Sequence, residues 1–220
     1  MSLHRKIGRQ VKILGRAARK RAWQASMIGL PRGAHITRYA MYKRLQELGP
    51  KLPHRRGRVL SISSSANLGD LLGVEATEVV NAEYPDHNML SLGFPDESFD
   101  YVFSDQVLEH VEGDPYKAIE ESGRVLRPGG VAVHTTCFIN PVHAFPKDFW
   151  RFTPDALSLM HEGWSEIIES AGWGNFQVWK VIRDGLRHEG VPHAPWHPYH
   201  RLALRNDPTW PISTWIVAVK

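Results

Sequence analysis

The sequence predicts an α/β fold with a mostly parallel seven-stranded sheet, helices on both of its faces and an antiparallel last strand. Short apolar runs alternate with segments of helical periodicity from residue 58 onward, which is typical of parallel strands joined by right-handed crossovers. No helix is apparent between the final two β-rich runs, so these two strands are expected to pair antiparallel. The composition, 42% hydrophobic and 23% charged, is typical of a globular protein.

Each predicted strand is a short run rich in β-branched, aromatic or other apolar residues, bounded by charged or turn-forming residues. The predicted strands are 58–62, 78–82, 88–92, 99–104, 131–136, 176–182 and 214–219. The clearest predicted helix has a proline near its start and a Pro-Gly-Gly sequence at its end. The predicted helices are 36–48, 115–126 and 154–171, with a short helical turn at 70–72.

Basic charge is concentrated at the N-terminus. Residues 1–46 contain twelve Lys or Arg and no Asp or Glu, whereas residues 47–220 contain fifteen basic and twenty-three acidic residues. The basic residues surround an apolar stripe at helical spacing. This stripe consists of Ile7, Val11, Leu14 and Ala18. We therefore predict a basic amphipathic helical extension over residues 1–48 and an α/β domain over residues 49–220.

Several roles fit this basic helix. It can lie solvated on the domain, attach to an anionic membrane face or a phosphate-bearing substrate, or serve as an organellar transit peptide. Nucleic acid is a less favoured partner, because the segment has few aromatic residues and the rest of the chain is acidic. No apolar run approaches the roughly 20 residues of a membrane span. The single cysteine, Cys137, excludes an internal disulfide framework, so we expect a cytoplasmic protein, peripheral to a membrane where the helix attaches.

Two segments carry a family resemblance. FPDESFDYVFSDQVLEHV at 94–111 and RVLRPGGVAVHTT at 124–136 resemble the class I S-adenosylmethionine-dependent methyltransferases of the small-molecule, type 11-like kind. The resemblance covers about residues 57–182 and implies a Rossmann-like sheet with S-adenosyl-L-methionine as the cofactor. It implies methyl transfer to an oxygen or nitrogen of a small-molecule, carbohydrate or glycolipid acceptor. The alternative is a binding or assembly module that has lost the cofactor and its activity.

The resemblance also implies which residues meet the cofactor. Glu83 stands where the family has an acidic residue that binds both ribose hydroxyls, and a carboxylate with two acceptor oxygens suits a diol. Asn88 replaces an aspartate that accepts a hydrogen bond from the adenine amino group, and its amide oxygen can accept the same bond. Met89 is expected to contact the adenine ring. The residues expected where the methionine part and the acceptor meet are Ser104, Asp105 and Gln106.

The stretch VLSISSSANLGD at 59–70 departs from the family pattern. The family has an acidic residue at the position of Ser61. It has glycine at the positions of Ser63 and Ser65, and often at that of Asn67. Glycine permits positive φ and lacks the Cβ that would obstruct a ligand, whereas serine keeps a small side chain and adds a hydroxyl. We expect these four residues to line the cofactor, in a pocket that either still binds it or has degenerated.

The segment FINPVHAFPKDFWRFTPDAL at 138–157, called the acceptor loop below, is rich in aromatic residues and prolines. It resembles a loop of one subgroup of these methyltransferases. We predict that His143 and Asp148 act as a general base and its orienter, because methyl transfer to a hydroxyl requires removal of a proton. The predicted substrate-binding residues are His110, Trp150 and Arg151. Arg151 could hold a carboxylate or phosphate. In the alternative it pairs with Asp148, and the neighbouring aromatic residues pack the next helix.

A second group of histidines lies in the Pro- and His-rich segment 187–211. Its members are His188, His193, His197 and His200. Such a group can suggest a metal site, but the irregular spacing and the prolines favour solvated loop histidines. We therefore predict no metal.

Overall fold

The computed structural model describes residues 3–143 and 147–220, with side chains from residue 13 onward. The helices are α1 Leu3–Ser26, α2 Tyr39–Leu48, α3 Asn67–Leu72, α4 Pro115–Val125, α5 Pro154–Met160, α6 Phe176–Val181 and α7 Pro198–Leu204. The strands are β1 Arg32–His35, β2 Arg56–Ile62, β3 Glu75–Ala82, β4 Phe99–Asp105, β5 Leu126–Cys137, β6 Glu166–Trp173, β7 Gly190–Pro192 and β8 Ser213–Val219.

Six of these strands form the central sheet, in the order β3-β2-β4-β5-β8-β6. The pairs β3 with β2, β2 with β4 and β4 with β5 are parallel. Strand β8 runs antiparallel to both β5 and β6. The predicted α/β fold with a mostly parallel sheet and an antiparallel last strand is therefore confirmed. The antiparallel pairing was expected because no helix was apparent between the last two strands. Helices α6 and α7 lie between β6 and β8 in the chain, so this reason was wrong.

The central sheet has six strands among the described residues rather than the predicted seven. The predicted strand at 88–92 is absent, and the segment makes only an isolated bridge between Asn88 and Ser91. The Asn88 side-chain oxygen accepts a hydrogen bond from the Leu90 backbone N–H at 2.9 Å. Such a side-chain bond to the backbone two residues on stabilises a turn and competes with the ladder of a sheet.

The segment between residues 154 and 182 was predicted in the wrong order. The predicted helix 154–171 contains the short α5 followed by β6, and the predicted strand 176–182 is largely helix α6. Gly163, with φ of +87°, lies in the turn between α5 and β6. The Asn175 side chain accepts from the Val178 backbone N–H at 2.9 Å and so caps the start of α6.

Successive side chains of the central strands enter two cores, one on each face of the sheet. Tyr101 and Phe103 of β4 lie in the core that includes Leu45 of α2. Val102, between them, lies in the core that includes Ile119 of α4. Helix α2 thus belongs to the packing of the sheet, and it begins three residues later than predicted because β1 precedes it and pairs with β7. The domain boundary after residue 48 stays a prediction.

The N-terminal helix α1 contacts the rest of the molecule through its second half. Arg19 donates two hydrogen bonds to the Asp184 carboxylate, at 2.8 and 3.0 Å. The Trp23 ring packs against Tyr199 with the ring centres 5.2 Å apart. The Leu14 side chain, by contrast, is 70% exposed. No helix in the described parts of the chain is both long and apolar enough to cross a membrane.

Candidate active site

The candidate site lies where strands β2, β3, β4 and β5 end. In an open parallel sheet, ligands bind beyond the carboxyl ends of the strands, at the point where the strand order reverses. Here β2 lies between β3 and β4, so the segments that follow these three strands meet at that edge. The segments concerned are the VLSISSSANLGD stretch, the residues from Glu83 and the residues from Asp105. The topology thus brings the two sides of the predicted cofactor pocket together.

The turn after β2 keeps a backbone conformation that favours glycine, although its residues are serines. Ser63 has φ of +52° and Ser64 has φ of +59°, both in the left-handed region. An L residue in this region is less stable by roughly 1–2 kcal/mol. The Ser64 backbone N–H and hydroxyl both donate to Oε1 of Glu83, at 2.8 and 2.9 Å. Ser63 and Ser64 are exposed, so their side chains lie on the surface that a ligand would approach.

Glu83 lies just after β3 and is exposed, as its predicted role requires. Its Oε1 atom accepts both bonds from Ser64, whereas no hydrogen bond from the described residues reaches Oε2. An ionised carboxylate can accept about four hydrogen bonds. Glu83 therefore retains acceptor capacity for a diol, which fits the ribose of the predicted cofactor.

The other serines of the stretch are buried and structural. The Ser65 hydroxyl donates to the Ile62 carbonyl at 2.5 Å and accepts from the Asp105 backbone N–H at 2.7 Å, so it joins the ends of β2 and β4. The Ser61 hydroxyl is buried and has no hydrogen-bond partner in the described structure. Asn67 is exposed, and its amide donates to the Tyr42 hydroxyl at 3.4 Å. The side chains of Ser61 and Ser65 would therefore not reach a ligand from these positions.

The predicted adenine contacts are only partly presented to solvent. Asn88 is exposed, but its side-chain oxygen already accepts the bond from Leu90, which leaves one further lone pair for a ligand. Met89 is buried within the core beneath α4. The adenine ring would thus meet the Met89 backbone rather than its side chain. Both assignments stay predictions.

The residues after β4 are held mainly by protein contacts. Ser104 is buried, and its hydroxyl is hydrogen-bonded to Nδ1 of the buried His134 at 2.7 Å, so its side chain would not reach a ligand. Gln106, with φ of +60°, donates from Nε2 to the Thr136 carbonyl at 2.7 Å. These contacts fix the backbone at the end of β4. The predicted roles of Ser104 and Gln106 are therefore restricted to main-chain contacts or to small rearrangements.

Asp105 is the centre of a polar cluster that includes residues from α2. Its carboxylate accepts hydrogen bonds from the Tyr42 hydroxyl and from the Thr135 hydroxyl, the latter at 2.5 Å, and lies 3.5 Å from the Arg38 guanidinium. Burial, followed by the charge of Asp105, raises the pKa of Tyr42 to about 12. The sequence analysis missed Arg38 and Tyr42, because it assigned their helix to the N-terminal extension.

Asp148 and Arg151 form an ion pair within the acceptor loop, as the alternative interpretation of this loop predicted. The guanidinium binds both carboxylate oxygens, and this hydrogen bonding lowers the pKa of Asp148 to about 2. The guanidinium also donates to the Trp150 carbonyl at 2.7 Å, and the Trp150 indole N–H donates to the Val111 carbonyl at 2.9 Å. The charge of Arg151 is thus largely neutralised by Asp148. This pairing disfavours the predicted role of Arg151 in holding a substrate anion, which stays a prediction.

His143 is oriented by the same aspartate. Its backbone N–H donates to Oδ2 of Asp148 at 2.8 Å, while its Nδ1 atom is hydrogen-bonded to the Pro141 carbonyl at 3.2 Å and lies 3.1 Å from the same Oδ2. Burial, followed by the charge of Arg187, lowers the pKa of His143. The His110 ring lies edge-on to the His143 ring with the centres 5.0 Å apart, so the two predicted residues are adjacent. The arrangement gives a neutral imidazole at neutral pH, with Nε2 available to accept a proton.

Two charged residues of the site were missed by sequence reasoning. Glu109 is fully buried; its Oε2 accepts from the Thr136 hydroxyl at 2.8 Å and its Oε1 has no partner among the described residues. Arg187 is partly buried, and its Nε atom is buried without a hydrogen-bond partner in the described structure. Burial is the main cause of the lowered pKa of Arg187, and the charge of Arg38 adds to it. Glu109 lies within the motif at 94–111 but was assigned no role, whereas Arg187 lies outside the resemblance, at the start of the Pro- and His-rich segment.

The histidines of segment 187–211 are not all solvated, contrary to the prediction. His197 is buried and caps α7 by accepting from the Tyr199 backbone N–H at 3.1 Å. His200 is also buried, and its Nδ1 is hydrogen-bonded to the Pro192 carbonyl at 2.8 Å. Across the described residues, the cluster with metal-ligand spacing is Glu109, His110 and His143 instead.

Comparison with known proteins supports the resemblance. Residues 47–134 match the family described as "Methyltransferase domain". A curated relative is 2-methyl-6-phytyl-1,4-hydroquinone methyltransferase 2, chloroplastic, of Oryza sativa subsp. japonica. It is 36% identical over 94 residues, which are 41% of this chain and 25% of the relative. The chain thus spans about a quarter of the length of the curated relative that it matches.

Two solved structures are also similar in part. A S-adenosylmethionine-dependent methyltransferase of Thermotoga maritima, described as a possible histamine N-methyltransferase, is 16% identical with a TM-score of 0.48 and covers 84% of this chain and 91% of its own. A S-adenosylmethionine-dependent methyltransferase of Archaeoglobus fulgidus is 15% identical with a TM-score of 0.49 and covers 83% and 94%. The family match confirms the predicted resemblance for residues 47–134 and implies S-adenosyl-L-methionine as the cofactor.

Proposed function

We propose that this chain, whose residues 47–134 match the methyltransferase-domain family, is a class I S-adenosylmethionine-dependent methyltransferase. Its acceptor would be an oxygen or nitrogen of a small molecule, a carbohydrate or a glycolipid. The observation that carries the proposal is the exposed Glu83 carboxylate, which faces the left-handed turn after β2 and has one oxygen that no donor among the described residues reaches. This is the arrangement expected for a ribose diol at the switch point of the sheet.

The residues of the site have distinct parts in the proposed reaction. When bound, S-adenosyl-L-methionine supplies an electrophilic methyl group on a positively charged sulfur. Glu83 would hold the ribose hydroxyls, and the segment after β4 would position the reacting end. His143, oriented by Asp148, would accept on Nε2 the proton that an acceptor hydroxyl loses as its oxygen bonds to the methyl carbon. Most of the rate increase would come from alignment of the two reactants.

The basic helix α1 supports a glycolipid as the favoured acceptor. Ile13 and Leu14 are 53% and 70% exposed, and they lie among basic residues. An exposed apolar and basic helix face is suited to an anionic membrane surface, where each Lys or Arg contributes about 1 kcal/mol. The helix would then hold the enzyme close to a membrane-bound acceptor. This partner remains part of the proposal.

Calorimetry with the full chain tests the proposed function. We expect saturable binding of S-adenosyl-L-methionine and of S-adenosylhomocysteine. Glu83→Gln should weaken this binding roughly 10- to 100-fold, because hydrogen bonds to a charged group contribute about 1.5–3 kcal/mol. Glu75→Gln is the matched control, since Glu75 lies exposed at the far end of the same strand, 3.2 Å from Arg56. Absence of saturable heat from the folded protein at millimolar ligand would overturn the proposal.

A second candidate, a binding module without catalysis, is favoured by one specific observation. Two acceptor atoms expected to meet the cofactor already accept hydrogen bonds within the chain, Glu83 Oε1 from Ser64 and Asn88 Oδ1 from Leu90. Such a module would bind neither ligand in the calorimeter. Binding of S-adenosylhomocysteine that Glu83→Gln weakens would exclude this candidate.

A further inference from the structure

We propose that Glu109, His110 and His143 form a binding site for one divalent transition-metal ion, which joins the acceptor loop to the segment after β4. One potential ligand atom from each residue lies within 4.8 Å of those of the other two. Ligands of a tetrahedral zinc ion lie about 3.4 Å apart, given metal–ligand distances of about 2.1 Å. Side-chain rotations that move these ligand atoms by about an ångström or two would therefore close the site around an ion. This inference goes beyond the proposed function, because it requires neither cofactor nor acceptor.

The Glu109 carboxylate is the strongest indication of a cation. It is fully buried, and Oε2 accepts from the Thr136 hydroxyl while Oε1 lacks any partner in the described structure. A buried carboxylate oxygen without a partner destabilises the fold, because the charge has lost its hydration. A cation between Glu109 and the two histidines would satisfy that oxygen. The orphaned atom is thus an observation independent of the cluster itself.

The histidine tautomers fit the same role. His110 Nδ1 lies 2.5 Å from the Lys147 carbonyl oxygen, and His143 Nδ1 is hydrogen-bonded to the Pro141 carbonyl at 3.2 Å and lies 3.1 Å from the Asp148 carboxylate. All of these oxygens only accept hydrogen bonds, so each Nδ1 carries the proton when the ring is neutral. The free lone pair of each ring is then on Nε2. Metal-binding histidines are commonly oriented in this way, with the second nitrogen donating to a carbonyl or carboxylate.

The donor set determines the class of ion. Two imidazoles and one carboxylate suit zinc, iron(II) and neighbouring divalent metals, and they leave coordination positions open for water or an acceptor oxygen. The nearby charges are mixed. Arg151 is paired with Asp148, whereas Arg187 also faces this region and opposes a cation. We therefore expect moderate affinity for zinc, and we expect Arg187→Met to increase it.

Nε2 of His143 can bind the metal ion or accept a proton as the base, but it cannot do both at once. The two roles therefore belong to different states of the site. Protons compete with the ion for both histidines, so metal affinity should fall as the pH decreases. The metal would not replace Glu83 in holding the cofactor, because the two groups follow different strands. Cofactor binding measured with a chelator present therefore tests the proposed function separately from the metal.

Cobalt(II) and zinc(II) titrations of the chelator-treated full chain test the proposal without cofactor. We expect a visible ligand-field spectrum that saturates at one cobalt per chain and is displaced by zinc. His110→Ala and His143→Ala should each weaken zinc binding more than about 10-fold, since even the outer partners of metal ligands change affinity 10- to 100-fold. His188→Ala, at an exposed histidine outside the cluster, is the matched control and should leave the affinity unchanged. Equal zinc affinity in all three variants and the wild type would overturn the proposal.

A second measurement needs no variant. Tryptic cleavage after Lys147, an exposed residue whose carbonyl is hydrogen-bonded to His110, should become slower when zinc is present. A chelator should restore the original rate. An unchanged rate, together with a colourless cobalt complex, would show that the cluster does not bind metal.

Discussion

Replacement of Ser63 by glycine should stabilise the protein, because Ser63 holds a backbone conformation that glycine adopts freely. Its φ is +52°, and its exposed side chain makes no hydrogen bond within the described structure. Relief of the left-handed strain contributes about 1–2 kcal/mol. The larger conformational freedom of glycine in the unfolded chain opposes this by about 0.5–1 kcal/mol. The net increase in the free energy of unfolding should be about 0.5–1 kcal/mol.

Urea denaturation followed by tryptophan fluorescence measures this effect. With a slope of about 2–3 kcal/mol per molar urea for a chain of this size, the midpoint should rise by about 0.2–0.5 M. Ser91→Gly is the matched control, since Ser91 is exposed and has negative φ, and it should lower the midpoint. A Ser63→Gly midpoint that falls as far as that of Ser91→Gly would refute the strain argument. The same variant should bind S-adenosyl-L-methionine at least as well as the wild type, because a side chain is removed from the ligand face.

Three further predictions concern the site and the core. Ser64→Ala removes one of the two bonds to Glu83 Oε1 and should strengthen S-adenosyl-L-methionine binding in calorimetry; weaker binding would mean that the hydroxyl assists the ligand. The pKa of Asp148, lowered to about 2, contributes about 2 kcal/mol of stability that is fully present above the unfolded-state pKa near 4 and is lost as the pH falls through about 2. Wild-type stability should therefore decrease more steeply than that of Asp148→Asn between pH 4 and 2, and parallel urea midpoints would contradict the ion pair. Leu45→Ala should lower the free energy of unfolding by about 2–5 kcal/mol, because Leu45 is buried in the core. Leu159→Ala, at an exposed site, should lower it by less than about 1 kcal/mol. Equal losses would contradict the packing of α2 in the core.

The sequence predicted the inner parallel strands β2, β4 and β5 because they are buried on both faces. The centre of β4, residues 101–103, is then a short continuous apolar run between Asp100 and Ser104. Strand β6 lies at the edge of the sheet and keeps several partly exposed residues, so its pattern resembled the end of a helix. The short helix α6 has the apolar character of a strand, and its Asn175 cap is a signal that was available but not used.

The candidate site was predictable where the family resemblance and the acceptor loop indicated residues. The resemblance assigned Glu83 and Asp105 to the cofactor, and both lie at strand ends that meet at one edge of the parallel sheet. Arg38, Tyr42 and Arg187 come from distant segments, and only tertiary packing brings them to Asp105 and His143. The same packing buries Ser65, whose position in the motif had indicated a ligand contact.

The position of β8 in the sheet also affects the order in which the fold can form. This strand lies between β5 and β6, and all seven of its residues are buried. Since β8 is the sheet neighbour of β6, the latter has no strand to pair with until residues 213–219 have been synthesised and inserted. Closure over such a long sequence separation is slow, because the loop entropy is lost before the new contacts form. During synthesis, β5 therefore exposes an unpaired edge while the segment up to residue 212 emerges from the ribosome.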